Sequence, residues 1–158
     1  MYSFFGAFAQ PLMAGLDECF IQRWSDVDVV ELSSPFLGLA VRFATSVYTP
    51  SDEDLPDPVS NGVQEISRQV PTVRFVLLRT ECWGGLCGNW GQFIQSGRVV
   101  VNEPLLPGVE IARPEPDGIL RRLINHLGVD IGPAEVFAPL TRDFPWKSGA
   151  AGLRETGQ

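Results

Sequence analysis

The sequence is poor in the residues on which many small enzymes depend. Its 158 residues include a single histidine, His126, and only three cysteines. A Ser-His-Asp triad or a Cys–His pair would have to use that one imidazole, and no G-x-S-x-G motif is present to position a serine nucleophile. Neither a Walker A motif nor G-x-G-x-x-G occurs. These absences disfavour hydrolase chemistry of the triad type and phosphate binding through a known glycine-rich loop.

The cysteine content bears on the compartment in which the protein folds. Three cysteines leave one unpaired under any internal pairing, and they are too few for a disulfide-stapled secreted scaffold. The apolar start lacks a cationic segment and is broken by Gln10, Pro11 and Gly15, so it fits neither a signal peptide nor a membrane-spanning helix. We therefore expect a cytoplasmic protein with reduced thiols and no membrane partner.

Basic residues are scarce as well. The chain has 12 lysines and arginines against 19 aspartates and glutamates, a formal net charge of -7. This charge repels the phosphates of nucleic acids and of anionic membranes, so a nucleic-acid partner is not expected. A basic protein partner is compatible with the charge, although solubility alone is a simpler explanation for it.

The hydrophobic pattern of the first eighty residues predicts the element order β-α-β-β-α-β. Apolar runs at 3–9, 27–32, 37–44 and 73–80 are typical of strands, and apolar residues at helical spacing follow Pro11 and the Asp57-Pro58 helix start. In the third strand Leu37, Leu39, Val41 and Phe43 alternate with smaller or polar residues, which predicts a half-buried strand. The order is that of a ferredoxin-like domain, in which two helices cover one face of an antiparallel sheet.

The second half of the chain extends this core. Strands at 89–95 and 98–101 flank a tight Ser96-Gly97 turn, and Asp117 is expected to cap a third helix that ends at Gly128. Residues from about 129 to 146 form an irregular aromatic and proline-rich arm, and 147–158 form a disordered tail with almost nothing to bury. We predict a single α+β domain over 1–146, with a mainly antiparallel sheet of five or six strands and three helices.

The segment Cys82-Trp83-Gly84-Gly85-Leu86-Cys87, the corner, concentrates unusual residues and admits chemical interpretations. One alternative is a small enzyme or small-anion-binding protein, in which Cys82 or Cys87 is the nucleophile, Glu81 is the acid or base, and Arg79 binds an anionic substrate. An Arg79–Glu81 pair is more often a structural ion pair at a strand end. The two corner cysteines are also close enough in sequence to pair as a disulfide.

A metal site is a second chemical alternative. Cys19, Cys82, Cys87 and His126 together make a complete Cys3His ligand set for zinc. Cys19, however, lies on the apolar face of the first predicted helix, where it points into the core rather than toward the corner. The acidic run at 52–54 lacks the glycine and the final glutamate of an EF-hand loop, so calcium is disfavoured. We expect no metal and no cofactor.

The leading hypothesis is a non-catalytic protein that binds another protein. Trp83 and Trp90 around Gly84-Gly85 would supply an aromatic anchor of the kind found at interface hot spots. The acidic residues Asp52, Glu53 and Asp54 would attract a basic partner and speed its association. In its sharpest form, the hypothesis is an acidic cytoplasmic inhibitor, of the immunity-protein or antitoxin type, of a basic toxin or nuclease.

Overall fold

The computed structural model describes residues 2–44, 57–83, 86–108, 118–131, 137–141 and 144–146. The elements in chain order are β1 (Tyr2–Gln10), α1 (Leu16–Arg23), β2 (Val27–Leu32), β3 (Gly38–Phe43), α2 (Asp57–Gln69), β4 (Arg74–Trp83), β5 (Leu86–Gln95), β6 (Arg98–Gly108) and α3 (Ile119–Asn125), followed by a short 3-10 helix (Ala138–Leu140). The strands form one six-stranded sheet in the order β2-β3-β1-β4-β5-β6. Every neighbouring pair is antiparallel. The α+β class, with a six-stranded antiparallel sheet and three α-helices in the described part, is therefore confirmed.

Both faces of the sheet are covered, because successive side chains of a strand point to opposite faces. On one face Phe5, Leu39 and Leu77 pack in a core with the apolar sides of α1 and α2. On the other face Phe8 and Val76 pack in a second core with α3. The central strands β1 and β4 contribute to both cores, which explains why the 73–80 run is apolar on both faces.

Strand β3 differs from the sequence-based expectation. It is buried on both faces instead of one, and Leu37, which the alternation places on its apolar face, precedes the strand and is 63% exposed. The alternation predicts that the small residues face solvent. Instead, Ala40 packs in the core beneath α3, and a Cβ at Gly38 would approach the Phe36 ring to 2.8 Å. Small side chains mark close packing here, not contact with water.

Helix α1 begins later than expected from the residues after Pro11. Strand β1 continues to Gln10, and Gly15, immediately before the helix, has φ 82°. That left-handed conformation is incompatible with the interior of a helix and is adopted readily by glycine. Leu12 and Met13 consequently lie in the β1–α1 connection, while Leu16 and Phe20 bury the helix against the sheet.

The hairpin of β5 and β6 has the predicted turn. Ser96 has φ 52° and Gly97 has φ 80°, the positive values that a type I′ turn requires at both central positions. The backbone N–H of Gly97 donates a hydrogen bond to Ser67 Oγ of α2 at 2.8 Å. This bond fastens the hairpin tip to the last turns of the helix that lies over the sheet.

Helix α3 ends as the sequence predicts, with Gly128 at φ 83° just beyond its last turn. Asp117, the expected cap, lies outside the described residues, and the N-cap position is held by Gly118. From the following arm, Phe137 is buried in the core beneath α3, and Phe144 and Trp146 pack against it. The predicted tail at 147–158 lies outside the described residues. None of the helices in the described ranges is long and apolar enough to cross a membrane.

Candidate functional site

The corner lies at one end of the sheet, where β4 ends at Trp83 and β5 begins at Leu86. The ladder places Cys82 directly opposite Cys87. Cys82 is disulfide-bonded, whereas Cys19 is free. The expectation of reduced thiols is thus wrong for Cys82. The reason is geometric, since directly opposed residues of an antiparallel pair have Cα atoms about 4.5–5.5 Å apart, within the range that a disulfide spans.

The disulfide bears on the enzyme alternative. A nucleophilic cysteine acts as its thiolate, and a sulfur held in a disulfide has no thiolate to offer. Gly84 and Gly85 lie outside the described residues, as do the side chains of Trp83 and Cys87. Trp83 itself is the last residue of β4.

Arg79 and Glu81, the alternative anion binder and acid or base, form a buried ion pair. Arg79 Nε lies 3.3 Å from Glu81 Oε1, and Ser3 Oγ donates to the same carboxylate oxygen at 2.8 Å. The guanidinium carbon is also 5.0 Å from the centre of the Trp90 ring. The two side chains are 0% and 2% exposed. A substrate anion or proton donor in solvent therefore has no direct access to either group.

Trp90, predicted as half of an exposed aromatic anchor, is 5% exposed. It lies on β5 directly opposite Arg79, and its ring stacks on the guanidinium. Its indole N–H is buried and has no hydrogen-bond partner in the part of the chain that the structure describes. Trp90 belongs to the packed interior of the domain, so of the two tryptophans only Trp83 remains a candidate for partner contact.

The residues of the zinc alternative are spread through the fold. Cys19 packs against the core beneath α1 and α2. His126, at the end of α3 on the opposite face, stacks on Phe93 with ring centres 4.8 Å apart and planes 7° from parallel. Cys82 lies at the corner in its disulfide. The structure does not bring these residues together, and among the described residues no cluster of three or more potential ligands occurs.

Comparison of the chain with protein-family models, with curated proteins and with solved structures found no match. The acidic residues Asp52, Glu53 and Asp54, which we expect to attract a basic partner, lie outside the described residues. Their part in binding stays a prediction.

A pocket lies at the other end of the sheet, and the sequence did not predict it. It has a volume of about 290 Å³ and combines apolar residues of the β1–α1 connection and of β3 with Asp17 of α1 and Glu31 of β2. Strand β1, nine residues long, separates this end from the corner by roughly 25 Å at about 3.3 Å per residue. The helical spacing after Pro11 predicts Leu12 and Met13 on a helix face, but α1 begins only at Leu16. The usable signal was Gly15, which ends the connection and leaves two large apolar residues outside the helix.

The charged residues of the described part are unevenly paired. Five arginines form ion pairs with five carboxylates, namely Arg23–Glu65, Arg42–Asp28, Arg79–Glu81, Arg121–Asp130 and Arg122–Glu103. Asp17, Glu18 and Glu31 form no such pair with any described cation. Asp17 and Glu31 line the pocket, and Glu18 follows Asp17 in the same first turn of α1. Uncompensated negative charge is thus concentrated at the pocket end of the sheet.

Proposed function

We propose that this protein is a non-catalytic binding module, an acidic inhibitor of the immunity-protein or antitoxin type that binds a basic protein such as a toxin or nuclease. The supporting observation is that Asp17, Glu18 and Glu31, at one end of the sheet, form no ion pair with any cation of the described residues, in a chain of net charge -7. Acidic groups that lack internal partners remain free to pair with cations of another protein. Such complementarity steers a basic partner into an encounter and rejects acidic ones.

The contacts that the candidate catalytic residues make support a binding function over a catalytic one. The enzyme alternative needs an accessible anion binder, an accessible acid or base, and a thiolate. Arg79 and Glu81 are sealed in an internal ion pair, and Cys82 is held in a disulfide. His126, the one imidazole of the chain, stacks on Phe93. Each of these residues has a structural role, so a catalytic role is not needed to explain its presence.

We further propose that the first four strands and two helices are a ferredoxin-like core within a single domain. The strand order β2-β3-β1-β4, the antiparallel pairing throughout, and the packing of α1 and α2 on one face are the properties of a split βαβ unit. In this description the β5–β6 hairpin and α3 are additions, one widening the sheet and the other covering its second face.

A cytoplasmic location belongs to the same proposal and is supported by the small number of cysteines in the sequence. The disulfide at Cys82 opposes it, because disulfides persist mainly in oxidising compartments. The oxidation state of Cys82 inside cells therefore tests this part of the proposal.

The experiment begins with capture of partners from a lysate of the native host on the immobilised full-length chain, at low and at high salt. The captured protein is then produced separately, and its affinity and its own activity are measured with and without the chain. We expect a basic protein that binds tightly, is inhibited on binding, and associates more slowly as salt rises. A partner without excess positive charge, or one whose activity the chain leaves unchanged, would contradict the proposal.

A further inference from the structure

We infer that the pocket between α1 and the β2–β3 edge receives one basic side chain, an arginine or a lysine, of the partner protein. The inference rests on the proposed function, because it names the chemical feature by which a basic partner is recognised. It places that recognition at the end of the sheet opposite the corner.

The floor of the pocket suits the aliphatic part of such a side chain. Leu12, Met13 and Leu39 line it, and Leu39 is fully buried in the sheet. Arginine and lysine lay their methylene stems along apolar surface while the charged head stays at a polar rim. Methionine adapts its shape to what it contacts, because its side chain is unbranched and polarisable. An apolar floor alone would accept any hydrophobic residue, so specificity depends on the rim.

The rim is acidic and contains no compensating charge. Asp17 comes from the first turn of α1, and Glu31 comes from the edge strand β2, where it lies opposite Leu39 in the ladder. None of the lining residues is basic, and neither carboxylate is paired with a described cation. Two carboxylates at the mouth of an apolar pocket are matched by a guanidinium or an ammonium, through charge-assisted hydrogen bonds that are stronger than neutral ones.

The size of the pocket limits what it can hold. Its volume of about 290 Å³ lies at the lower end of the range for small-molecule sites, roughly 300–1,000 Å³. That volume suits one long side chain better than a cofactor. Because β2 is an edge strand of the sheet and Glu31 is exposed on it, a partner reaches the rim without displacing any of the described helices and strands.

The test uses the full chain, labelled with ¹⁵N, and capped single amino acids as probes. N-acetyl-arginine methylamide and N-acetyl-lysine methylamide carry the proposed charge. The citrulline and norleucine analogues keep the length of the side chain without the charge. We expect the arginine or the lysine probe to shift the amide signals of Met13, Asp17, Glu31 and Leu39, and the two neutral probes to leave them unchanged at equal concentration.

A matched pair of variants sharpens the test. Glu31→Gln removes one rim charge, and Glu65→Gln makes the same chemical change at an exposed position on α2 outside the pocket lining. Loss of a charge-assisted bond should weaken binding of the cationic probe about tenfold in Glu31→Gln. Glu65→Gln should bind it nearly as the unaltered chain does. Both positions are exposed, so folding is retained in each.

Three results would overturn the inference. They are no signal change with either cationic probe, equal changes with the citrulline analogue, and equal weakening by both variants. The proposed function fails differently, through capture of a non-basic partner or absence of inhibition. If a basic partner is captured and inhibited while Glu31→Gln leaves its affinity unchanged, the protein is an acidic inhibitor that does not use this pocket.

Discussion

The Arg79 guanidinium and the Glu81 carboxylate face each other on β4 at 3.3 Å, in side chains withdrawn from water. The exposed Arg23–Glu65 pair on α1 and α2 has a shorter separation, 2.6 Å. Loss of one partner should nonetheless lower the free energy of unfolding more in the buried pair than in the exposed pair. A buried charge that loses its partner has no water to replace it, whereas an exposed one does.

Replacing Glu81 with alanine should therefore lower the free energy of unfolding by about 3–5 kcal/mol, because Arg79 would be left charged in the interior. The matched change Glu65→Ala removes an exposed partner of an arginine and should cost about 0–1 kcal/mol. Urea unfolding of the two variants and the unaltered chain measures both values. Equal losses would show that the Arg79–Glu81 pair is hydrated in solution.

Replacement of Trp90 should mainly affect stability, and replacement of Trp83 should mainly affect partner binding if the corner is the interface. Trp90 is buried against Arg79, so Trp90→Ala should lower the free energy of unfolding by about 3–5 kcal/mol while its folded fraction binds the partner at full strength. If Trp83 anchors the interface, Trp83→Ala should cost about 2 kcal/mol or more of binding with a smaller loss of stability. Melting temperatures and partner affinities of both variants decide. A Trp83→Ala variant that binds normally would exclude the corner as the interface.

The hydrogen bond between Gly97 and Ser67 should matter more than its position at a hairpin tip suggests. Ser67 is fully buried, and its Oγ accepts the turn N–H at 2.8 Å. Ser67→Ala leaves that N–H without its acceptor, at a cost of about 1–3 kcal/mol. Ser96→Ala is the control, since its exposed hydroxyl makes only a 3.4 Å bond to Pro71 O. Similar unfolding free energies for the two variants would contradict the importance of this bond.

The structure predicts a disulfide at Cys82, whereas the sequence-based expectation is that all thiols are reduced. With Cys82 in a disulfide and Cys19 free, the denatured but unreduced protein should expose one reactive thiol, and three after reduction. Thiol titration on protein from intact cells, with alkylation at lysis, makes the measurement. Reduction should also lower the melting temperature, because a disulfide stabilises a protein mainly by constraining its unfolded chain. Three reactive thiols before reduction would restore the reduced form expected in a cytoplasm.

Asp130 should titrate abnormally because of Arg121. The guanidinium donates hydrogen bonds to both carboxylate oxygens, at 3.0 and 3.1 Å, and thereby lowers the pKa of Asp130 below its usual value of 3.8. A lowered folded-state pKa means that the bond contributes stability above the unfolded-state pKa and loses that contribution as pH falls through the folded-state value. NMR titration of the carboxyl carbon should show the pKa rising toward 3.8 in Arg121→Gln. Arg122→Gln, whose arginine pairs with Glu103, should leave it unchanged.

The predictability of this fold followed the strength of the local signals. The Asp57 helix start, the 27–32 strand and the Ser96-Gly97 turn were predictable because each depends on a few adjacent residues. The burial of β3 was not, because its second face belongs to a core whose other members include Leu123 and Phe137, about eighty to a hundred residues further along the chain. The pocket was missed for a related reason. It joins a connection, a helix start and two strands whose proximity is set by strand order, and no pattern within one segment indicates strand order.

Strand β6 forms one border of the sheet, opposite β2, and its irregularities have a consequence for behaviour at high concentration. Its register with β5 shifts between the pairs Phe93–Val101 and Ile94–Val99, so Val100 is an extra residue, and it is 55% exposed. A second shift lies near the exposed Pro104. An uninterrupted apolar border would offer its backbone as a template to another copy of the chain. The bulge and the proline interrupt that template, so a valine-rich border strand is compatible with a chain that stays dispersed when concentrated.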